Sequence, residues 1–65
     1  MNNRKDFGED LKLARRILGE TQEETSRRLG VGTRSITRWE CGTSEPIAAH
    51  KKIIVEFIED VLGSV

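Results

Sequence analysis

The 65-residue chain has no tyrosine, one tryptophan, one proline, one histidine and one cysteine, and its formal net charge is zero. Each scarcity excludes something. A lone cysteine, Cys41, closes no disulfide within the chain. With a single histidine beside it, His50, there is no metal-ligand cluster, so no metal or other cofactor is expected. No apolar run approaches the ~20 residues of a membrane span, and the opening MNNRKDFGED has no apolar signal segment. With one reduced thiol, this reads as a soluble, cytoplasmic protein with no membrane partner. The chain holds no nucleophile–base arrangement and no phosphate loop. A domain this small also has little pocket volume, so neither an enzyme nor a small-molecule ligand is expected. Sixty-five residues make one domain near the lower size limit for folding without staples. Its core must suffice alone, or a second subunit must help.

Zero net charge argues at first against a nucleic-acid partner, but the charges are segregated. From Thr25 to Trp39 there are four arginines (27, 28, 34 and 38) and no acid, whereas the last ten residues hold Glu56, Glu59 and Asp60 with no base. The basic stretch lies inside the most informative segment, TQEETSRRLGVGTRSITRWECG, from Thr21 to Gly42. Thr21 followed by Glu24 is a capping box that starts a helix, and Glu23 and Glu24 suit its positive end. That helix runs to Leu29 and stops at Gly30. Val31 plugs the turn, and Gly32 is an acceptable, if weaker, helix start. A second helix extends from about Thr33 to Glu40. Its apolar residues Ile36 and Trp39 share one face, so Thr33, Arg34, Thr37 and Arg38 point away from it. A helix, a glycine-bounded turn and a short helix with an exposed basic and hydroxylic face spell a helix-turn-helix at about 21–40. The plainer alternative is a helical hairpin with a solvated basic face.

Two further helices complete a four-helix, all-α domain. The first runs from about Arg4 or Asp6 to Leu18, with Phe7, Leu11, Ala14 and Leu18 on one stripe and Gly19 as its stop. Gly8 costs it about 1 kcal/mol relative to alanine, so its first turn is expected to fray. Cys41–Pro46 reads as a loop, with Ser44 or Glu45 capping the last helix. That helix spans about 47–62, from Pro46 or Ile47 to Leu62. At 100° per residue its apolar side chains cover an arc of roughly 220°, about twice what one small core requires. The surplus implies a second apolar partner, either a further short segment or another subunit. A second copy of the chain is the expectation, with Val55, Phe57, Ile58, Val61, Leu62 and Val65 as the pool for a dimer interface. His50 beside this arc reads as a partly buried helix residue.

The chain resembles the Cro/CI-type (Xre-like) helix-turn-helix family of phage and bacterial repressors. The resemblance runs from about Phe7 to Leu62 on Arg15, Gln22, Glu24, Leu29, Gly30, Val31, Ile36, Trp39, Glu40, Gly42 and Pro46. It implies a compact lambda-repressor-like fold. It also implies that Thr33, Arg34, Thr37 and Arg38 read bases, that Gln22 (with Ser35) meets the DNA phosphates, and that Arg15 pairs with Glu40. Thr25 and Glu20 depart from it by standing where apolar residues are usual, which implies a weaker core near the second helix. Ser26 in place of a common alanine is a milder change.

The functional expectation is a double-stranded DNA-binding transcriptional regulator. Arginine in the major groove matches the two acceptors of guanine, and its alternative use is phosphate contact. One recognition helix reads few base pairs, so a homodimer on an inverted repeat is expected. With no second domain to sense a ligand, repression by occupancy is the simplest mechanism. Standalone proteins of this resemblance include phage and mobile-element repressors, anti-CRISPR-associated autoregulators and antitoxins. The competing class is a protein-interaction module that keeps the fold without binding DNA.

Overall fold

A computed structural model describes residues 4–63, with side chains from Phe7 to Gly63. Among the described residues four helices occur in chain order: α1 (Arg4–Ile17), α2 (Gln22–Leu29), α3 (Thr33–Cys41) and α4 (Ala48–Gly63). Among the described residues there is no strand, and no helix is long and apolar enough to cross a membrane. The radius of gyration, 10.5 Å, is that of a well-packed chain of this length, about 11 Å.

The apolar stripes of α1, α3 and α4 meet in one core of Leu11, Ala14, Ile36, Trp39, Ile54, Phe57 and Ile58. Phe7, Leu29, Val31, Val61 and Leu62 pack around it, each partly buried. The Trp39 and His50 rings meet in a T-shaped arrangement, with centroids 6.2 Å apart, and His50 is half-buried as expected. α1 contacts both α3 and α4, whereas α2 packs chiefly on α3. α2 differs in kind from the others. Its fully buried side chains, Thr25 and Ser26, are polar, so polar contacts as well as the Leu29 side chain fix it to the domain.

The helix boundaries obey local chemistry. α1 stops one residue earlier than the apolar stripe predicts. The N–H of Gly19 turns back to the Arg16 carbonyl and that of Glu20 to the Arg15 carbonyl, which closes the end after Ile17. Gly8 has a packing role besides its cost in helix propensity. It is buried inside α1, and a Cβ placed on it would lie 2.3 Å from the Trp39 carbonyl oxygen. The missing side chain is what lets α1 reach the C-terminal end of α3. α4 begins later than its proline suggests. The first intrahelical bond runs from Lys51 N–H to the Ile47 carbonyl (2.8 Å), so Ile47 takes the cap position expected of Ser44 or Glu45. Pro46 packs, buried, just ahead of it.

Candidate nucleic-acid interface

α2 opens on the expected capping box. Thr21 Oγ1 accepts from Glu24 N–H at 3.1 Å, and Glu24 Oε1 accepts from Thr21 N–H at 2.8 Å. It ends at Gly30, whose φ of +74° is the left-handed region that a side chain disfavours. There the Gly30 and Val31 N–H groups both return to the Ser26 carbonyl. α3 starts from Gly32 without a side-chain cap. Its inward face is anchored by Ile36, fully buried, and Trp39, 5 % exposed. That anchoring leaves Thr33, Arg34, Thr37 and Arg38 exposed together, as the spacing predicts. Ser35 is half-buried on the flank opposite the two threonines.

Behind this face runs a continuous chain of hydrogen bonds. Arg15 grips Glu40 with two parallel bonds, Nε to Oε2 at 2.8 Å and NH2 to Oε1 at 3.0 Å. The two side chains are only 13 % and 4 % exposed. The third arm of the guanidinium donates to the Glu20 carbonyl at 2.9 Å, tying the α1–α2 turn to the same group. Donating to Glu40 raises the Arg15 pKa above its ordinary value; burial opposes this, and the attraction of the Glu40 charge adds to it. Glu40 Oε1 also accepts from Gln22 Nε2 at 3.1 Å, and Gln22 Oε1 accepts from the Thr37 hydroxyl at 2.8 Å. Gln22, expected on a DNA phosphate, is thus engaged at both ends of its amide. One N–H of the amide remains to reach outward.

The four arginines of the basic segment separate into two pairs. Arg27 donates to Glu23 at 3.2 Å along α2, both ends well exposed. Arg28 is held by Glu20, through Nε at 3.0 Å and through NH2. Arg34 and Arg38 are exposed and, among the described residues, make no ion pair. They are the cations of α2 and α3 left available to an outside anion or acceptor.

One cluster was not legible in the sequence. Thr25, completely buried, donates its hydroxyl to Glu20 Oε1 at 2.8 Å. Glu20 in turn receives Arg28. The two residues that depart from the family's apolar pattern therefore satisfy each other, so the expected weak spot is a closed polar cluster. Among the described residues no buried side-chain polar atom lacks a partner. The Arg28 hydrogen bond, helped by Thr25 and the Arg28 charge and opposed by desolvation, holds the Glu20 carboxyl below the usual carboxylate range. The available signal was that both departures occur together, five residues apart across a helix start.

Comparison of the chain with protein-family models, curated proteins and solved structures finds no match. Among the described residues no group of His, Cys, Asp and Glu could hold a metal ion.

The pool expected at a dimer interface divides on burial. Phe57 and Ile58, at 7 % and 8 % exposure, belong to the chain's own core and are not open to a partner. The helical arc alone does not reveal which part of it faces inward. Val61 and Leu62 are partly buried against that core, and Val55 is partly buried outside it. Val65 lies outside the described residues. The large apolar side chains that α4 and its entry leave exposed are Ile47 (66 %) and Ile53 (43 %).

Proposed function

We propose that this chain is a sequence-specific DNA-binding transcriptional regulator of the Cro/CI-type helix-turn-helix class, acting as a homodimeric repressor on an inverted repeat. The observation that carries the reading is the outer face of α3. Arg34 and Arg38, both exposed and unpaired among the described residues, stand beside Thr33 and Thr37 on a helix whose other face is locked into the core. A guanidinium fork matches the O6 and N7 acceptors of guanine in the major groove, worth about 1–3 kcal/mol of discrimination per good contact. The chain from Arg15 through Glu40 and Gln22 to Thr37 holds that face still. Immobilising α3 before contact reduces the ordering cost of binding. An interaction module would have no use for two uncommitted arginines on its best-supported helix.

The half-exposed and exposed apolar side chains of α4 favour a twofold partner, and a dimer supplies the second half-site that one short helix cannot read. The test is a binding selection of the purified protein against randomised duplex DNA, with Arg34→Ala in parallel. The expected result is an inverted repeat that the substitution weakens or alters. No enriched motif at low salt, where phosphate attraction is strongest, overturns the proposal.

A further inference from the structure

Hydrogen-bond direction at the α2–α3 contact fixes what the candidate reading face can donate and what it can accept. A hydroxyl has one proton and two lone pairs, a carbonyl only accepts, and a carboxylate held in a guanidinium fork only accepts. Ser26 Oγ donates to the Glu23 carbonyl at 2.7 Å, which uses its one proton. The same oxygen lies 3.0 Å from Thr33 Oγ1. Ser26 has no proton left for this bond, so Thr33 is the donor.

The second threonine reaches the same state by a longer route. Glu40, clamped by Arg15, requires a donor from Gln22, so the amide nitrogen of Gln22 faces Glu40 and its oxygen faces Thr37. An amide oxygen only accepts, so the Thr37 hydroxyl donates to it at 2.8 Å. The other neighbour within reach of that proton, the Thr33 carbonyl at 3.2 Å, is again an acceptor on the inward side. The ion pair on α1 and α3 thereby sets the polarity of a side chain on the surface.

Resting on the DNA-binding proposal, we infer that Thr33 and Thr37 present only lone pairs outward and recognise the exocyclic amino groups of bases, adenine N6 or cytosine N4. Neither threonine serves as a phosphate ligand, because a phosphate oxygen needs a donor. The arginines supply the opposite polarity: Arg34 and Arg38 donate to guanine O6 and N7 or to phosphate, while the threonines accept from amino groups. Thr33 and Thr37 stand one helical turn apart, about 6 Å along α3. Successive bases on a strand are about 3.4 Å apart, so both amino contacts fall within roughly two base steps.

The test combines the binding selection with Thr33→Val and Thr37→Val, which keep the shape of each side chain and remove its oxygen. Both residues are exposed, and circular dichroism checks that the fold persists. At each half-site position whose preference a valine variant relaxes, the contacted base is then replaced by an analogue lacking only the amino group: purine for adenine, 2-pyrimidinone for cytosine. The expected result is an about two- to tenfold loss of affinity for the unsubstituted protein. The matching valine variant should show no further loss, while Thr37→Ser should retain the sensitivity. Relaxation at guanine or thymine keto positions, or indifference to every amino deletion, overturns the inference and leaves the DNA reading standing. A selection that enriches no motif removes both.

Discussion

Gly8 in α1 lies against the main chain of Trp39 in α3, so close that a methyl group on Gly8 would sit 2.3 Å from the Trp39 carbonyl oxygen. The obstacle is backbone within a helix and cannot rotate aside. Alanine would gain about 1 kcal/mol of helix propensity at this position. Overpacking costs about 1–3 kcal/mol, and an approach this close to fixed backbone belongs to the upper part of that range, above the propensity gained. Gly8→Ala should therefore lower the melting temperature, by about 4–8 °C for each net kcal/mol in a domain of this size. An unchanged or raised melting temperature would show that α1 and α3 have room to spare.

The Arg15–Glu40 pair should carry a larger penalty when broken from one side. With Glu40 4 % exposed, Arg15→Ala leaves a carboxylate buried without its partner. Such losses run to about 3–5 kcal/mol. A chain of this length has a total stability of about 3–10 kcal/mol, so the loss takes from about a third to all of it and should lower the melting temperature steeply. Glu40→Ala should be comparably damaging and should also release Gln22. Thermal melts of the two variants close to that of the parent would contradict the pair's role.

The contrast between these two contacts shows what a one-dimensional pattern carries. The four helices are legible because apolar spacing, the Thr21–Glu24 box and the glycine stops are local signals. Thr33, Arg34, Thr37 and Arg38 are legible because Ile36 and Trp39 fix the inward face of α3. Gly8 reads only as a helix defect because a local pattern says nothing of which backbone comes near it. Thr25 and Glu20 read as two flaws because their mutual bond depends on how the chain enters α2. The wide apolar arc of α4 signals surplus but not direction, so the pattern puts Phe57 and Ile58 at an interface although the core takes them. The Arg15–Glu40 contact has no local signature, because 25 residues separate its partners, and nothing in the periodicity of either helix foretells it.

Acid should reveal the Glu20 cluster. The Glu20 carboxyl ionises at lower pH in the folded chain than when unfolded, chiefly because Arg28 donates to it. Its contribution to stability is thus fully present above the unfolded carboxylate pKa, about 4.3. As pH falls, the unfolded chain takes up the proton first, and the contribution is lost through the folded pKa. Melting temperatures measured from about pH 6 down to about pH 3 should fall, and Glu20→Gln should make that fall shallower. Identical slopes for the two proteins would mean that Glu20 gains nothing from Arg28 and Thr25.

α4 offers a way to separate folding from association. Phe57→Glu or Ile58→Glu places a charge in the core and should abolish the helical circular dichroism signal, because an unpaired buried charge is among the most damaging changes. Val55 is only partly buried and stands outside that core. On the dimer reading, Val55→Glu should keep the helical signal and shift the protein to monomer on a sizing column or in sedimentation. A folded Val55→Glu protein with an unchanged assembly state would remove Val55 from the interface. A parent chain that is already monomeric at high concentration would remove the interface altogether.

The two arginine pairs should behave differently toward DNA. Arg27 and Arg28 are engaged by Glu23 and Glu20, whereas Arg34 and Arg38 have no acid partner among the described residues. Arg34→Ala and Arg38→Ala should each weaken binding to the selected site and leave stability within about 0.5 kcal/mol of the parent, as exposed substitutions do. The variant that lost a base contact would also lose discrimination at one position, about 1–3 kcal/mol. One that lost a phosphate contact would weaken all sequences alike and flatten the dependence on salt by about one unit of slope. Arg28→Ala should instead lower stability by uncovering Glu20 and should leave the sequence preference intact. If Arg28→Ala shifted the preferred sequence while Arg34→Ala and Arg38→Ala did not, the reading face would lie on α2 and the assignment of α3 would fail.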